Sequence, residues 1–432
     1  MTWDLEAVSL IIQLRNAPHD GHSSSPDHTD PELHLILQAA SDITQGVNQD
    51  KCLTELQGLT ITAYEKMRRA TGLGPLTYWR EIYSDLCILR AIVEYRQCCL
   101  MQAVSTLDHA LIIAGASSRL DLVLVIISRI QSKMQPSPHI DSPALDEPSL
   151  QVTNIPPSKH LESTIPCISP PSFIAFQSTF SRRPFILRGF ARDWPALNNH
   201  PWRQAAYLRS IAGPGRVVPV EVGTDYRTDD WNQTIMPWDA FLSTLDFHDQ
   251  PAQRNGEMLY LAQHDLTIQF PSLRDDIIIP DYVYASLSNS DNPNYRPPAN
   301  DDHVLFNTWL GPKGTISPAH TDPYFNCYVQ VMGQKLVWLA PPSVSESMYP
   351  IRSEDTSDGP REGRENSSMS NTSRVDVFSE DLEGEKFPAY INNVMPVAMK
   401  ATLVPGDMLF FPPGWWHAMK SETSSFSFSF WF

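Results

Sequence analysis

Gly314-Thr-Ile-Ser-Pro-Ala-His320-Thr-Asp322 is the stretch on which the reading of this chain turns, and Gly414-Trp-Trp-His417 answers it far downstream. On extended chain, residues i and i+2 point to the same face, so His320 and Asp322 can grip one ion while Thr321 points away. A third ligand has to come from another strand. His417 stands where a turn made by Pro412-Pro413-Gly414 hands back to extended chain. The order His-x-Asp…His supplies two imidazoles and one carboxylate. That is the donor set of a facial triad, which holds Fe(II) on one face and leaves the opposite positions open for a co-substrate and O2. Alone, a His-x-Asp tripeptide has a plainer reading as solvated loop residues, so its surroundings decide.

Those surroundings read as strands. Phe325-Asn-Cys-Tyr-Val-Gln-Val-Met-Gly-Gln-Lys-Leu-Val-Trp-Leu339 is two apolar runs joined at Met332-Gly333-Gln334, and it predicts a β-hairpin. Lys335, its one basic residue, is either an edge-strand gatekeeper or the partner of a buried anion. Pro405-Gly-Asp407 predicts a tight turn between Ala401-Thr-Leu-Val404 and Met408-Leu-Phe-Phe411. Ser425-Phe-Ser-Phe-Ser-Phe430 alternates strictly, which places Phe on one face of a strand and Ser on the other. A ligand pair on one such strand and a His on another predict a small double-sheet jelly roll.

With those residues in view, the chain resembles the Jumonji-C (JmjC) oxygenases. Thr308 to Asp322 and Gln330-Val-Met-Gly-Gln-Lys335 are similar to the family core. Further matching stretches run in order over most of residues 165–432. They are Arg183-Pro-Phe-Ile-Leu-Arg-Gly189, Val218-Pro-Val-Glu-Val-Gly223, Tyr260-Leu-Ala-Gln-His264, Ile279-Pro-Asp-Tyr282 and Asn371-Thr-Ser-Arg-Val-Asp-Val377. Within the family the similarity points to the JmjC-only lysine demethylase 8 / arginyl hydroxylase subfamily.

The resemblance implies Fe(II) at His320, Asp322 and His417, the catalytic centre of a 2-oxoglutarate-dependent dioxygenase. It implies 2-oxoglutarate at Tyr260, Ser317, Asn326 and Lys335. The chemistry suits that set: a buried carboxylate needs a cation, and hydroxyl and amide donors complete its hydrogen bonds. Each residue also has a plain alternative: a strand aromatic for Tyr260, a turn opener for Ser317, a polar strand residue for Asn326. Glu221 and Trp231 match acidic and aromatic positions of the substrate pocket in hydroxylase relatives, with Gln263, Trp309 and Trp431 as walls. A carboxylate fork beside an aromatic face suits a guanidinium, whereas a methylated ammonium prefers several aromatics and no fork. The alternative is that Trp231 is core and Glu221 a solvent-facing strand residue.

The rest of the chain is organised differently. Trp79, Ile82, Tyr83, Leu86, Leu89 and Val93 recur at helical spacing, as do Leu100, Ala103, Val104, Leu107, Leu111 and Ala114; Gly115 ends the second helix and a third starts near Leu120. The expected class is therefore α+β. It combines an N-terminal helical domain at 1–132, a Pro-rich linker at 133–171 and a double-stranded β-helix (cupin/JmjC) catalytic domain at 172–432. Residues 352–370 form a polar, charged insertion beyond the usual family length, with too little apolar surface to fold, and Ser23 to Pro31 is a shorter stretch of the same kind. The helical domain reads as a bundle that shields or docks the catalytic domain, or as a groove for a protein partner.

Composition narrows the partners. A net charge of -17 disfavours nucleic acid and favours a basic protein or peptide substrate. No apolar run is long enough to cross a membrane, the acidic Met1-Thr-Trp-Asp-Leu-Glu start is unlike a secretory signal, and six unpaired-looking cysteines point to a reducing compartment, the nucleus or cytoplasm. The expected function is Fe(II)- and 2-oxoglutarate-dependent protein oxidation, with arginine hydroxylation first and histone methyl-lysine demethylation second. The second is weakened because no zinc-finger or other chromatin-reading cassette is seen. A non-catalytic cupin-like scaffold is third, and it would require loss of a ligand or of Lys335; none is lost.

Overall fold

The computed structural model describes residues 2–16, 31–116, 118–134, 163–223, 227, 231–253, 256–287, 295–351, 370–379 and 386–432. Most of the expected linker and all but the last residue of the 352–370 insertion lie outside them, as does Ser23 to Pro31 except for Pro31. The chain divides into two compact units. One holds residues 1–149 with 212–218 and 236–239, and the other holds the remainder.

The helical unit runs through α1 (Trp3–Asn16), α2 (Pro31–Gln45), α3 (Gln49–Arg69), α4 (Leu73–Arg96), α5 (Leu100–Ala114) and α6 (Leu120–Gln131). The expected helices are α4, α5 and α6. Gly115 closes α5 in the left-handed region, at φ 71°, and returns its N–H to Leu111. The apolar stripes of α4 and α5 meet α6 in one core that includes Leu86, Leu89, Val104, Leu107 and Ile126. Inside that unit Asp85 is fully buried and takes the guanidinium Nε of Arg15 at 2.5 Å and of Arg119 at 2.7 Å. The cations offset the desolvation of the carboxylate. Among the described residues no helix is long and apolar enough to cross a membrane, and all six cysteines are free.

The second unit is the double sheet. Its strands are β1 (Ser163–Thr164), β2 (Phe185–Leu187), β3 (Val217–Val222), β4 (Asn232–Pro237), β5 (Leu259–His264), β6 (Leu305–Gly311) and β7 (Ile316–Thr321). They continue with β8 (Asn326–Met332), β9 (Lys335–Ala340), β10 (Met399–Leu403), β11 (Met408–Phe411), β12 (Trp416–Ser421) and β13 (Ser425–Trp431). Five strands form one sheet in the order β1-β10-β9-β12-β7, and eight form the other in the order β2-β11-β8-β13-β6-β5-β3-β4. The chain enters the first sheet before the expected start at 172, because Ser163 and Thr164 pair in parallel with Met399 and Lys400.

One local expectation is corrected. β8 and β9 are not a hairpin: β8 pairs with β11 and β13, while β9 pairs with β10 and β12 in the other sheet. The turn at Gly333 carries the chain across the sandwich. Gly333 has φ 73°, and a Cβ there would come 1.9 Å from the Ser424 carbonyl oxygen, so only glycine fits. The alternation in β13 runs as expected. Phe426 and Phe428 pack on Trp202, while Ser427 points inward to Gln330 at 2.7 Å.

Candidate metal and co-substrate site

The two expected histidines meet because their strands are neighbours. β12 pairs antiparallel with β7, and His417 stands directly opposite His320. Asp322 follows β7 by one residue, and its carbonyl accepts the N–H of Gly414 at 2.9 Å, which ties the Pro-Pro-Gly turn to the ligand segment. His417 Nε2 lies 3.2 Å from Asp322 Oδ2 and His320 Nε2 lies 3.8 Å from Oδ1. One ligand atom from each of the three fits within 4.8 Å of the others.

That geometry suits a single divalent ion. Ligands ~2.1 Å from one centre at roughly right angles lie about 3 Å apart. The tautomers suit it as well. His320 Nδ1 faces the Pro318 carbonyl at 2.7 Å and His417 Nδ1 faces the Trp415 carbonyl at 3.1 Å. A carbonyl only accepts, so each Nδ1 carries the proton and each Nε2 lone pair is free toward Asp322. Burial, and then the neighbouring His417, push the His320 pKa down to about 4, against the pull of Asp322. Burial pushes Asp322 up, but His320 and His417 overcome it and leave the carboxyl below its ordinary value. A neutral His320 and an ionised Asp322 are the protonation states that a metal requires of them.

Around the triad a cavity opens between the sheets. Tyr260, Trp309, Asn326, Tyr328 and Phe411 line it from the larger sheet, and Ser317, His320, His417 and Met419 from the smaller, with Asp322 beside them. Lys335 is 1% exposed on β9, inside its sheet, which removes the edge-gatekeeper reading. Its ammonium donates to the Tyr260 hydroxyl at 3.2 Å and lies 5.4 and 5.8 Å from the ring centroids of Tyr260 and Tyr328. Among the described residues no carboxylate pairs with it, and burial lowers its pKa to about 7. Burial raises the Tyr260 phenol, so it stays neutral. Asn326 Oδ1 is buried without a hydrogen-bond partner. A buried cation and neutral hydroxyls together fit a dicarboxylate such as 2-oxoglutarate, toward which the Asn326 amide would turn its N–H2 group rather than this oxygen.

The expected substrate residues fare unevenly. Glu221 on β3 stands directly opposite Tyr260 on β5, so both side chains share one face. Trp309 lines the cavity, 6.3 Å from the Tyr260 ring. Trp431 is opposite Asn326. Gln263 is exposed, in a left-handed conformation at φ 51° beside a bulge between β5 and β6. Trp231 is half-buried just before β4, and among the described contacts none brings it to the cavity. Sequence reasoning passed over Tyr328, Phe411 and Met419. Tyr328 was findable, being two residues beyond Asn326 on the same strand face. It also gave no role to 371–373, which hold the ligand strand from its outer side: Thr321 N–H donates to the Asn371 carbonyl at 2.9 Å and Ser373 N–H to that of Ala319 at 2.8 Å.

Comparison with known proteins agrees with this geometry. A family model described as a cupin-like domain matches residues 172–432, more than half of the chain. The Jumonji C domain-containing protein 5 of Drosophila melanogaster is 38% identical over 62% of this chain and 59% of its own length. The lysine-specific demethylase 8 of Danio rerio is 32% identical over 85% of this chain and 84% of its own. The lysine-specific demethylase JMJ30 of Arabidopsis thaliana is 29% identical, with 85% and 83% covered.

Proposed function

This chain belongs to the cupin-like JmjC family of 2-oxoglutarate-dependent dioxygenases, and we propose that the group it oxidises is an arginine side chain of a protein or peptide. The observation that carries this is the register of Glu221 against Tyr260, which sets a carboxylate on the face that leads to the metal ligands. A guanidinium donates two directional hydrogen bonds to such a carboxylate and lies flat on an indole like that of Trp309. The charge of -17 favours a basic partner.

When bound, Fe(II), 2-oxoglutarate and O2 supply the chemistry, inserting one oxygen atom into a substrate C–H bond as 2-oxoglutarate becomes succinate and CO2. The chain's own groups prepare for it. His320, Asp322 and His417 would hold the metal. Lys335 and Tyr260 would fix one end of the dicarboxylate, with Ser317 and Asn326 beside them. Phe411, packed 4.6 Å from the His417 ring, and Met419 keep water from the ligands. Glu221 orients the cationic side chain.

Methyl-lysine demethylation is the second reading, favoured by the names of two relatives. It uses the same oxidation on an N-methyl carbon, whose hydroxylated product collapses to formaldehyde and amine. Mass spectrometry of arginine and methyl-lysine peptides incubated with iron, ascorbate and 2-oxoglutarate separates the two. We expect a gain of one oxygen on arginine, lost in Glu221→Ala while 2-oxoglutarate binding is retained. Loss of a methyl group from lysine, with arginine untouched, would hand the site to the second reading.

A further inference from the structure

The helical unit takes in two short stretches from much further along the chain, residues 212–218 and 236–239. The first is the turn before β3 with the opening residues of that strand, and the second is the end of β4 with the two residues after it. β3 and β4 lie together at one end of the larger sheet. Beyond Val218, β3 runs on to Glu221, which stands opposite Tyr260.

The turn is seated on α5 and α6. Gln131, the last residue of α6, donates its side-chain amide to the carbonyls of Ala212 at 3.0 Å and Pro214 at 2.8 Å. Gly215 lies so close to α5 that a Cβ would come 3.0 Å from the Val104 Cβ and 3.1 Å from the Met101 carbonyl oxygen. Asp108 of α5, fully buried, holds the strand itself. Its carboxylate accepts Arg216 Nε at 2.9 Å, a terminal guanidinium nitrogen at 2.7 Å and the backbone N–H of Val217 at 2.8 Å. The Arg216 carbonyl in turn accepts the N–H of Trp238 at 2.9 Å, which ties in the chain just after β4.

A buried ion pair adds little stability over apolar residues of the same volume. What this one supplies is position, since a two-pronged fork together with a main-chain bond fixes both the direction and the register of the strand. Glu221 lies four residues beyond Val217, roughly 13 Å along extended chain. Pro219 locks φ midway, so a shift at the start of β3 is carried to its end.

We propose that Asp108 is a positioning residue for the substrate: through Arg216 and Val217 it sets the place of β3, and so the aim of Glu221 at the cationic side chain. The helical unit thereby takes part in substrate selection without touching the substrate. This rests on the reading of Glu221 given above.

The test uses two variants of the full-length protein. Asp108→Asn leaves Arg216 buried without its counter-charge. Asp108→Leu/Arg216→Met removes both charges and refills the space. The readouts are kcat and KM for an arginine peptide, KM for 2-oxoglutarate turned over without peptide, and Tm. In Asp108→Asn, Tm should fall by about 5–10 °C. Its peptide KM should rise about tenfold or more, while the KM for 2-oxoglutarate stays within about twofold, since none of that co-substrate's expected ligands lies on β3. In the double variant Tm should recover, but the peptide KM should stay raised, because nothing then fixes the strand. A peptide KM that returns together with Tm, or that keeps the wild-type value in both variants, overturns the proposal and leaves the pair a structural one. If Asp108→Asn does not fold, the double variant decides alone. Should Glu221→Ala turn over the arginine peptide as wild type does, the arginine reading and this proposal fall together. Should Glu221→Ala lose that turnover while the Asp108 variants keep the wild-type peptide KM, this proposal falls by itself.

Discussion

Lys335 shows how one side chain can be held ready for a ligand at the expense of stability. Its ammonium lies in the interior between two tyrosine rings, and burial brings its pKa down to about 7 from the ordinary 10.5. Below about pH 7 the folded and unfolded chains both hold the proton, so the full desolvation penalty applies. Between about 7 and 10.5 the unfolded chain holds a proton that the folded one has released, so this residue's contribution to stability rises with pH across that window. Lys335→Met keeps most of the volume and drops the charge. The free variant should be more stable than wild type at pH 6, with the difference closing as pH rises toward 9. Its 2-oxoglutarate affinity should fall at least about a hundredfold, since a buried charge pair is lost. In wild type at pH 8, binding should take up a proton, visible as a buffer-dependent heat in calorimetry. Equal 2-oxoglutarate affinity in the two proteins would remove Lys335 from the co-substrate site.

Elements in this fold matter by which sheet they join, and there the sequence was only partly legible. The i, i+2 rule placed His320 and Asp322 together, and alternation sorted the two faces of β13, because both signals are local. Whether β8 and β9 pair with each other is not local. Two apolar runs around Met332-Gly333-Gln334 read equally well as a hairpin or as a crossing between sheets, and only the packing of Ser424 against Gly333 decides. Asn307 escaped for a related reason, since a polar residue inside an apolar strand declares no partner until its neighbouring strand is known. In the helical unit, α3 was missed because its buried stripe is narrow and includes a polar residue: Cys52, Leu56, Thr60, Ala63 and Met67. The crossing makes a sharp prediction. Gly333→Ala forces a Cβ into the Ser424 carbonyl at positive φ and should destabilise the protein by about 3 kcal/mol or more in urea unfolding. Gly58→Ala, on an exposed face of α3 with nothing within 4 Å, should instead stabilise by about 0.5–1 kcal/mol. Similar small effects at both positions would show that the turn is free to relax.

At the scale of the whole molecule, a metal held by the triad would link strands that are far apart in sequence. Asp322 directly follows β7 and His417 lies in β12, so an ion held by both would fasten two neighbouring strands of the smaller sheet. A ligand that binds only the folded chain stabilises it by mass action, about 2.7 kcal/mol at a hundredfold excess over its dissociation constant. For a catalytic unit of this size that corresponds to roughly 5–10 °C in Tm. Mn(II) or Zn(II), which hold the same ligand set without reacting with O2, should therefore raise the melting temperature of wild type, and a chelator should reverse the rise. Asp322→Ala removes the one anionic ligand, so its melting temperature should not respond to either ion, and its iron content and turnover should vanish together. The effect should also fade on acidification, because protons compete with the metal for both Nε2 atoms and for the carboxylate. An Asp322→Ala protein that still gains stability from Mn(II) as wild type does would mean that the ion binds elsewhere in the chain, and the catalytic assignment of all three residues would fall with it.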